Sequence, residues 1–206
     1  LASMLLPALQ KARAMSLATN CMNNLRQIGF AVASYSTDNN DYFPGAIWGG
    51  APFYVELQSY ISNGGTVKTD RIYICPSDFF RLNNGYGDWQ PSYKRSYGLN
   101  NNMMHNDTAN PKDITTGNGR WAQATLIKQP STRVYKTDSY ASNSSPIGIN
   151  YWSYPFKDNS LAADGGIDFR HSGSANVLAP DFHVARRKVS DLRYKRYLVT
   201  PVEALW

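Results

Sequence analysis

The chain has 206 residues, 42% of them hydrophobic and 17% charged, which fits one globular domain and excludes an intrinsically disordered chain. Aromatic residues reach 13%, and with abundant Asn, Ser and Gly this composition suits a loop-rich exported domain better than a Glu/Lys-rich cytosolic one. Of the net charge of +6, most comes from Arg186, Arg187, Lys188, Arg193, Lys195 and Arg196 set against Asp191, so no broad basic face of the nucleic-acid-binding kind is expected.

The chain opens on an apolar run, with Leu1, Met4, Leu5, Leu6 and Leu9, that stops at Lys11 and Arg13. A bilayer span takes about 20 apolar residues, so the run reads as the tail of a longer hydrophobic segment. Over residues 8–36 the pattern predicts a helix: Leu25, Ile28, Val32 and Tyr35 recur at helical spacing, and Ala18, Cys21 and Met22 extend the stripe upstream. Asn23, Asn24, Arg26 and Gln27 fall on the opposite side. Counted with the apolar start, a helix of about 35 residues is about 50 Å long, more than a small domain can cover, so its first turns should project, with a kink at Pro7. Cys21 and Cys75 exclude a zinc site made of cysteine alone, unless His completes it. They allow either two buried thiols or one disulfide, which would remove about 4 kcal/mol of unfolded-state freedom.

The opening segment, from Leu5-Leu6-Pro7-Ala8-Leu9 through Asn24-Leu25-Arg26-Gln27-Ile28-Gly29 to Tyr35 and Asp38-Asn39-Asn40, resembles the type IV pilin-like proteins of the type II secretion pseudopilin group. Ile74-Cys75-Pro76-Ser77-Asp78, Ser96-Tyr97-Gly98-Leu99-Asn100 and a late His-x9-Asp element, His171 to Asp181, follow in the order of one branch of that family. The branch usually closes the late motif with Asp-Gly, where this chain has Asp181-Phe182. The resemblance implies a structural, non-enzymatic subunit of a secretion or pilus-like filament. It further implies a precursor processed and methylated after prepilin peptidase cleavage, an inner-membrane anchor ahead of the stem, and a head in the periplasm or outside the cell. Its partners would be other pilin-like subunits and the secretion machinery. Met4, Leu5, Leu6 and Leu9 would line the filament stem.

After the helix, the cluster from Asp38 to Asp41 predicts a turn, closed by Pro44-Gly45. A short helix is expected over residues 53–61, ended by Asn63-Gly64-Gly65. Strands are expected over residues 71–75, 122–128, 133–137 and 175–179, with weaker signals at 184–187 and 196–199. Long Asn/Gly/Ser loops separate them. One long helix followed by antiparallel strands reads as an α+β, pilin-like fold, divided into a helix stem (1–36) and a globular head (37–206).

Several clusters carry chemistry worth weighing. If residues 175–184 form a hairpin, His171, Asp181 and His183 could converge as a two-His-one-carboxylate metal site, although turn-fixing roles are favoured. Asp164 and Asp168 flank Gly165-Gly166 in an acidic loop of the kind calcium prefers. Pseudopilins of the resembled group often hold calcium in a C-terminal loop, yet the full EF-hand pattern is missing and solvated acids are favoured. No cofactor is required on this reading. Asp78 and Asp138 are a conceivable carboxylate pair, but an Asx turn explains Asp78, and no Gly-x-Ser-x-Gly elbow surrounds Ser77, Ser172 or Ser174. Trp48, Trp89, Trp121 and Trp152 lie among aromatic loops that would suit stacking on sugar rings. The competing functional reading is therefore a membrane-tethered module that binds polysaccharide. Core and subunit contacts explain the same rings more simply. The basic run at residues 186–196 reads as a solvated strand edge.

Overall fold

The computed structural model describes residues 2–44, 56–61, 71–78, 96–99, 104–105, 120–121, 123–127, 129–140 and 166–192. Helix α1 spans Ala2–Asp38 and runs through Pro7, two residues beyond the expected C-terminus and six ahead of the expected start. From Leu5 to Ser16 every residue is exposed; burial begins at Ala18 and continues on one stripe through Cys21, Leu25, Ile28, Ala31, Val32 and Ser36. The helix ends where the polar cluster predicts, with Asn40 and Asp41 in the left-handed region (φ 52° and 68°). There the Asp41 N–H donates to the Ser36 carbonyl at 2.8 Å, a bond that satisfies a last-turn carbonyl in the manner of a Schellman cap with Asn in place of Gly.

Among the described residues seven strands follow: β1 Tyr97–Leu99, β2 Met104–His105, β3 Arg120–Trp121, β4 Lys136–Tyr140, β5 Gly166–Ile167, β6 Ser174–Leu178 and β7 Val184–Lys188. The main sheet is antiparallel with the order β1-β4-β6-β7, and β5 pairs with the far end of β4. β2 and β3 form a separate two-stranded ribbon. An α+β fold with a long N-terminal helix against an antiparallel sheet is thus what the chain adopts.

β6 is buried along its whole length because both of its faces are covered. Leu178 and Asn176 face α1, with Leu178 in the main core beside Leu25 and Ile28 and the Asn176 amide 3.5 Å from the Ala18 carbonyl. Ala175 and Val177 face the other way, into a second cluster with Val134, Ile167 and Phe169. At Gly29 the helix packs tightly against β6: a Cβ there would lie 2.9 Å from Leu178 Cδ1 and 3.4 Å from the Phe182 carbonyl oxygen.

Three expected strands differ. Residues 71–75 form a 3₁₀ turn at Arg71–Tyr73. The Ile74 N–H is spent inside that turn, on the Arg71 carbonyl at 3.0 Å, and Pro76 has no N–H to offer a ladder. Residues 122–128 contain a 3₁₀ turn, Ala124–Leu126, because Asp41 captures their donors: Ala124 N–H bonds the Asp41 carbonyl (2.9 Å) and Thr125 N–H its carboxylate (2.8 Å). The strand expected at 133–137 lies at Lys136–Tyr140, extending into a polar sequence that burial on both sides had disguised. Of the short helix expected over 53–61, Gln58–Ile61 is helical. The strand expected at 196–199 lies outside the described residues.

Candidate functional site

Four separate segments meet at the buried end of the helix–sheet interface. Cys21 comes from α1, Cys75 from the Cys-Pro-Ser-Asp turn, Asp138 from β4 and His171 from the turn that leads into β6. Cys21 and Cys75 are joined as a disulfide, with Cα atoms 5.0 Å apart, and both are fully buried. The turn that presents Cys75 has Pro76 at its second position and closes with the Asp78 N–H donating to the Cys75 carbonyl at 2.8 Å.

His171 is 4% exposed, and a single atom of its ring, Nε2, faces two partners: Cys75 Sγ at 3.5 Å and Asp138 Oδ2 at 3.3 Å. The same Asp138 oxygen accepts the Asn176 N–H at 2.7 Å, whereas Asp138 Oδ1, also buried, accepts no hydrogen bond from the described residues. Tyr97 covers the helix side, its hydroxyl donating to the Cys21 carbonyl at 3.3 Å. Burial first, and the Asp138 charge second, push the Tyr97 phenol far above its ordinary range.

Beside this group, Arg170 gathers acids. Its Nη1 meets Asp78 Oδ2 at 2.5 Å, and its Nη2 meets Asp168 Oδ2 at 2.8 Å and donates to the Ser139 carbonyl. Burial opposes the guanidinium charge, but Asp78, Asp168 and Asp138 together outweigh it and raise the Arg170 pKa above its ordinary value. The result is an anchored, charge-compensated junction between the Cys-Pro-Ser-Asp turn and the segment leading into β6.

The late motif is therefore split in space. His171 lies before β6 and joins Cys75 and Asp138, while Asp181 and His183 lie past its other end. The expected convergence of His171, Asp181 and His183 on one metal does not occur, because the five residues of β6 hold its two ends about 13 Å apart. Instead, His183 Nδ1 contacts Asp181 Oδ1 at 2.5 Å across the hairpin turn. That turn is closed by Phe182 N–H to Ala179 C=O and Ala179 N–H to His183 C=O, both 2.9 Å. Its left-handed position, where the resembled branch places Gly, is occupied by Phe182 at φ 66°. The Phe182 ring packs 5.8 Å from Phe43.

Asp168 gives its carboxylate to Arg170, and Asp164, its partner in the suggested calcium loop, lies outside the described residues. So do Trp48, Trp89 and Trp152; Trp121 contributes backbone pairing with Met104 in the β2–β3 ribbon. Asp78 and Asp138 are both buried, next to Arg170 and His171 respectively. Arg186 and Lys188 stand exposed on β7, the last strand in the sheet order, as the strand-edge reading expects.

Sequence reasoning missed two members of the site. From sequence, Asp138 stands out only as a possible carboxylate partner of Asp78, and Arg170 carries no motif of its own. The available signals were a carboxylate inside a strand and a cation directly before His171. Among the described residues no helix is long and apolar enough to cross a membrane. Comparison with protein-family models, with curated proteins and with solved structures finds no match for this chain.

Proposed function

We propose that the chain is a non-enzymatic, pilin-like subunit of a type II secretion or pilus-like filament, whose stem packs against the stems of other subunits. One observation carries the reading: the first half of α1 stands clear of the core, with Leu5 69%, Leu6 58%, Leu9 67% and Met15 58% exposed. Isolated apolar residues on a surface are ordinary, but four on one projecting helical rod leave apolar area that association would bury, at about 25 cal/mol per Å² before association costs. The Cys21–Cys75 disulfide supports placement of the head outside the cytosol, where such bonds persist. An inner-membrane anchor and prepilin peptidase processing belong to the same proposal.

The test is Leu5→Arg with Leu9→Arg in the full-length precursor, expressed in its native host. Cross-linked ladders and sheared filaments should disappear. The melting temperature of the head should not move, since exposed positions far from the core change stability by at most about 0.5 kcal/mol. Ladders of undiminished length would remove the proposal.

A further inference from the structure

Cys21, Cys75, His171 and Asp138 have a geometry that a disulfide alone does not require. The sulfurs and His171 Nε2 all lie within 4.8 Å of one another, and all three residues are buried. The Nε2 atom points between Cys75 Sγ at 3.5 Å and Asp138 Oδ2 at 3.3 Å. A tetrahedral zinc with bonds of 2.3 Å to sulfur and about 2.0–2.1 Å to nitrogen and oxygen sets its ligands about 3.5 Å apart for N and S and about 3.3 Å apart for N and O. Two edges of the coordination polyhedron are therefore already in place. The Asp138 carboxylate is fully buried, and its Oδ1 accepts no hydrogen bond from the described residues. Such an atom costs free energy unless something of opposite charge meets it.

We propose that, when the Cys21–Cys75 bond is reduced, Cys21, Cys75, His171 and Asp138 form a closed four-coordinate site for a thiophilic divalent cation, with zinc the best fit. The inference is independent of the filament reading. Reduction takes two electrons and two protons from a dithiol, which leaves as its own disulfide, and yields two thiols. Metal binding then releases both thiol protons and sets two thiolates and a carboxylate against the double charge. Breaking the sulfur–sulfur bond lets the thiolates part to the roughly 3.8 Å of two sulfurs on one zinc by rotation about χ1. Because all four side chains are buried, no position is left open for water, which makes the site structural rather than catalytic. Asn176 N–H, which donates to Asp138 Oδ2 at 2.7 Å, would orient that ligand from outside the metal shell. The same helix-to-head staple would then exist in two chemical forms, a disulfide where oxidants prevail and a metal clip where thiols are kept reduced.

The test uses the whole 206-residue chain, reduced with a tertiary phosphine, freed of reagent without oxygen, and titrated with Co²⁺ and then Zn²⁺. The expected result is one Co²⁺ per chain, with the intense visible bands of a tetrahedral ion and a thiolate charge-transfer band, displaced by one Zn²⁺. The oxidised chain should show neither band. His171→Ala should weaken Co²⁺ binding at least about 100-fold, more than the 10–100-fold that loss of an outer-shell partner costs. His183→Ala should leave the titration unchanged. X-ray absorption at the zinc edge of the unmutated chain needs no variant to fold, and should give two sulfur and two nitrogen or oxygen neighbours. Absence of tetrahedral bands in the reduced chain, equal affinity in His171→Ala, or a four-sulfur shell would each overturn the proposal.

Discussion

Arg170 Nη1 and Asp78 Oδ2 meet at 2.5 Å with both side chains more than nine-tenths buried. The pair binds the turn that carries Cys75 to the segment that carries His171. Removing one partner of such a pair leaves a charge stranded away from water, at a cost of about 3–5 kcal/mol. Arg170→Ala should therefore lower stability in urea by about that amount, and Arg170→Lys should not restore it. An ammonium cannot span Asp78, Asp168 and the Ser139 carbonyl as the planar guanidinium does. An Ala variant within 1 kcal/mol of the parent, on the scale of a surface pair at about 0–1 kcal/mol, would contradict the buried junction.

Phe182 presents two opposing effects at one position. Its left-handed backbone, φ 66°, costs a non-glycine residue about 1–2 kcal/mol, while its ring contact with Phe43 returns about 0.5–1.5 kcal/mol beyond area burial. Phe182→Ala loses the ring and keeps the backbone cost; Phe182→Gly loses the ring and relieves it. The Gly variant should be more stable than the Ala variant by about 1 kcal/mol in chemical denaturation. The reverse order would mean that the hairpin does not hold this residue in the left-handed region.

Gly29 lies where α1 touches β6. A Cβ at this site would sit 2.9 Å from Leu178 Cδ1, inside a core where Leu178 is fully buried. Helix propensity favours any side chain except proline over Gly, by up to about 1 kcal/mol. Overpacking a filled core costs about 1–3 kcal/mol, and the second effect should win for a branched side chain. Gly29→Val should lower the melting temperature, with Gly29→Ala between it and the parent. A more stable Val variant would show that the helix and β6 separate more readily than their packing implies.

Alkaline pH should unfold the domain through its tyrosines. Burial, then Glu56 and Tyr60, push Tyr35 up to about 12 from its usual 10.0, and burial raises Tyr97 and Tyr135 further. A raised phenol keeps its proton in the folded state after the unfolded chain has lost it. The stabilisation is thus complete below pH 10 and lost as pH climbs through 12. Tyrosinate absorbance should rise in two stages, the later one coinciding with loss of circular dichroism. A single early stage with the fold intact would show these phenols to be open to solvent.

Much of the architecture was legible in the chain. The three- and four-residue spacing from Ala18 to Val32 marked the buried stripe of α1, and the polar cluster at Asp38 to Asp41 marked its end. Both are local properties, set by helical period and backbone preference. The hairpin of β6 and β7 was visible for the same reason. β4 was displaced in the reading because Lys136, Thr137, Asp138 and Ser139 look like a solvent-facing segment. In the fold their polar groups are buried, and several are satisfied by cross-strand neighbours, as when Thr137 donates to the Asn176 carbonyl at 2.9 Å.

The site divides along the same line. Sequence by itself marked His171, Cys21, Cys75 and Asp78 as residues of interest, and the apolar start of α1 as a surface in need of a partner. It could not pair His171 correctly, since Asp181 and His183 are near in the chain whereas Cys75 is 96 positions away. A rigid strand keeps near neighbours apart, and only the packing of α1 and the Cys-Pro-Ser-Asp turn against one end of the sheet brings distant ones together. Tertiary structure alone decided that His171 answers to Cys75 and Asp138, and that Arg170 is the cation that Asp78 and Asp168 share.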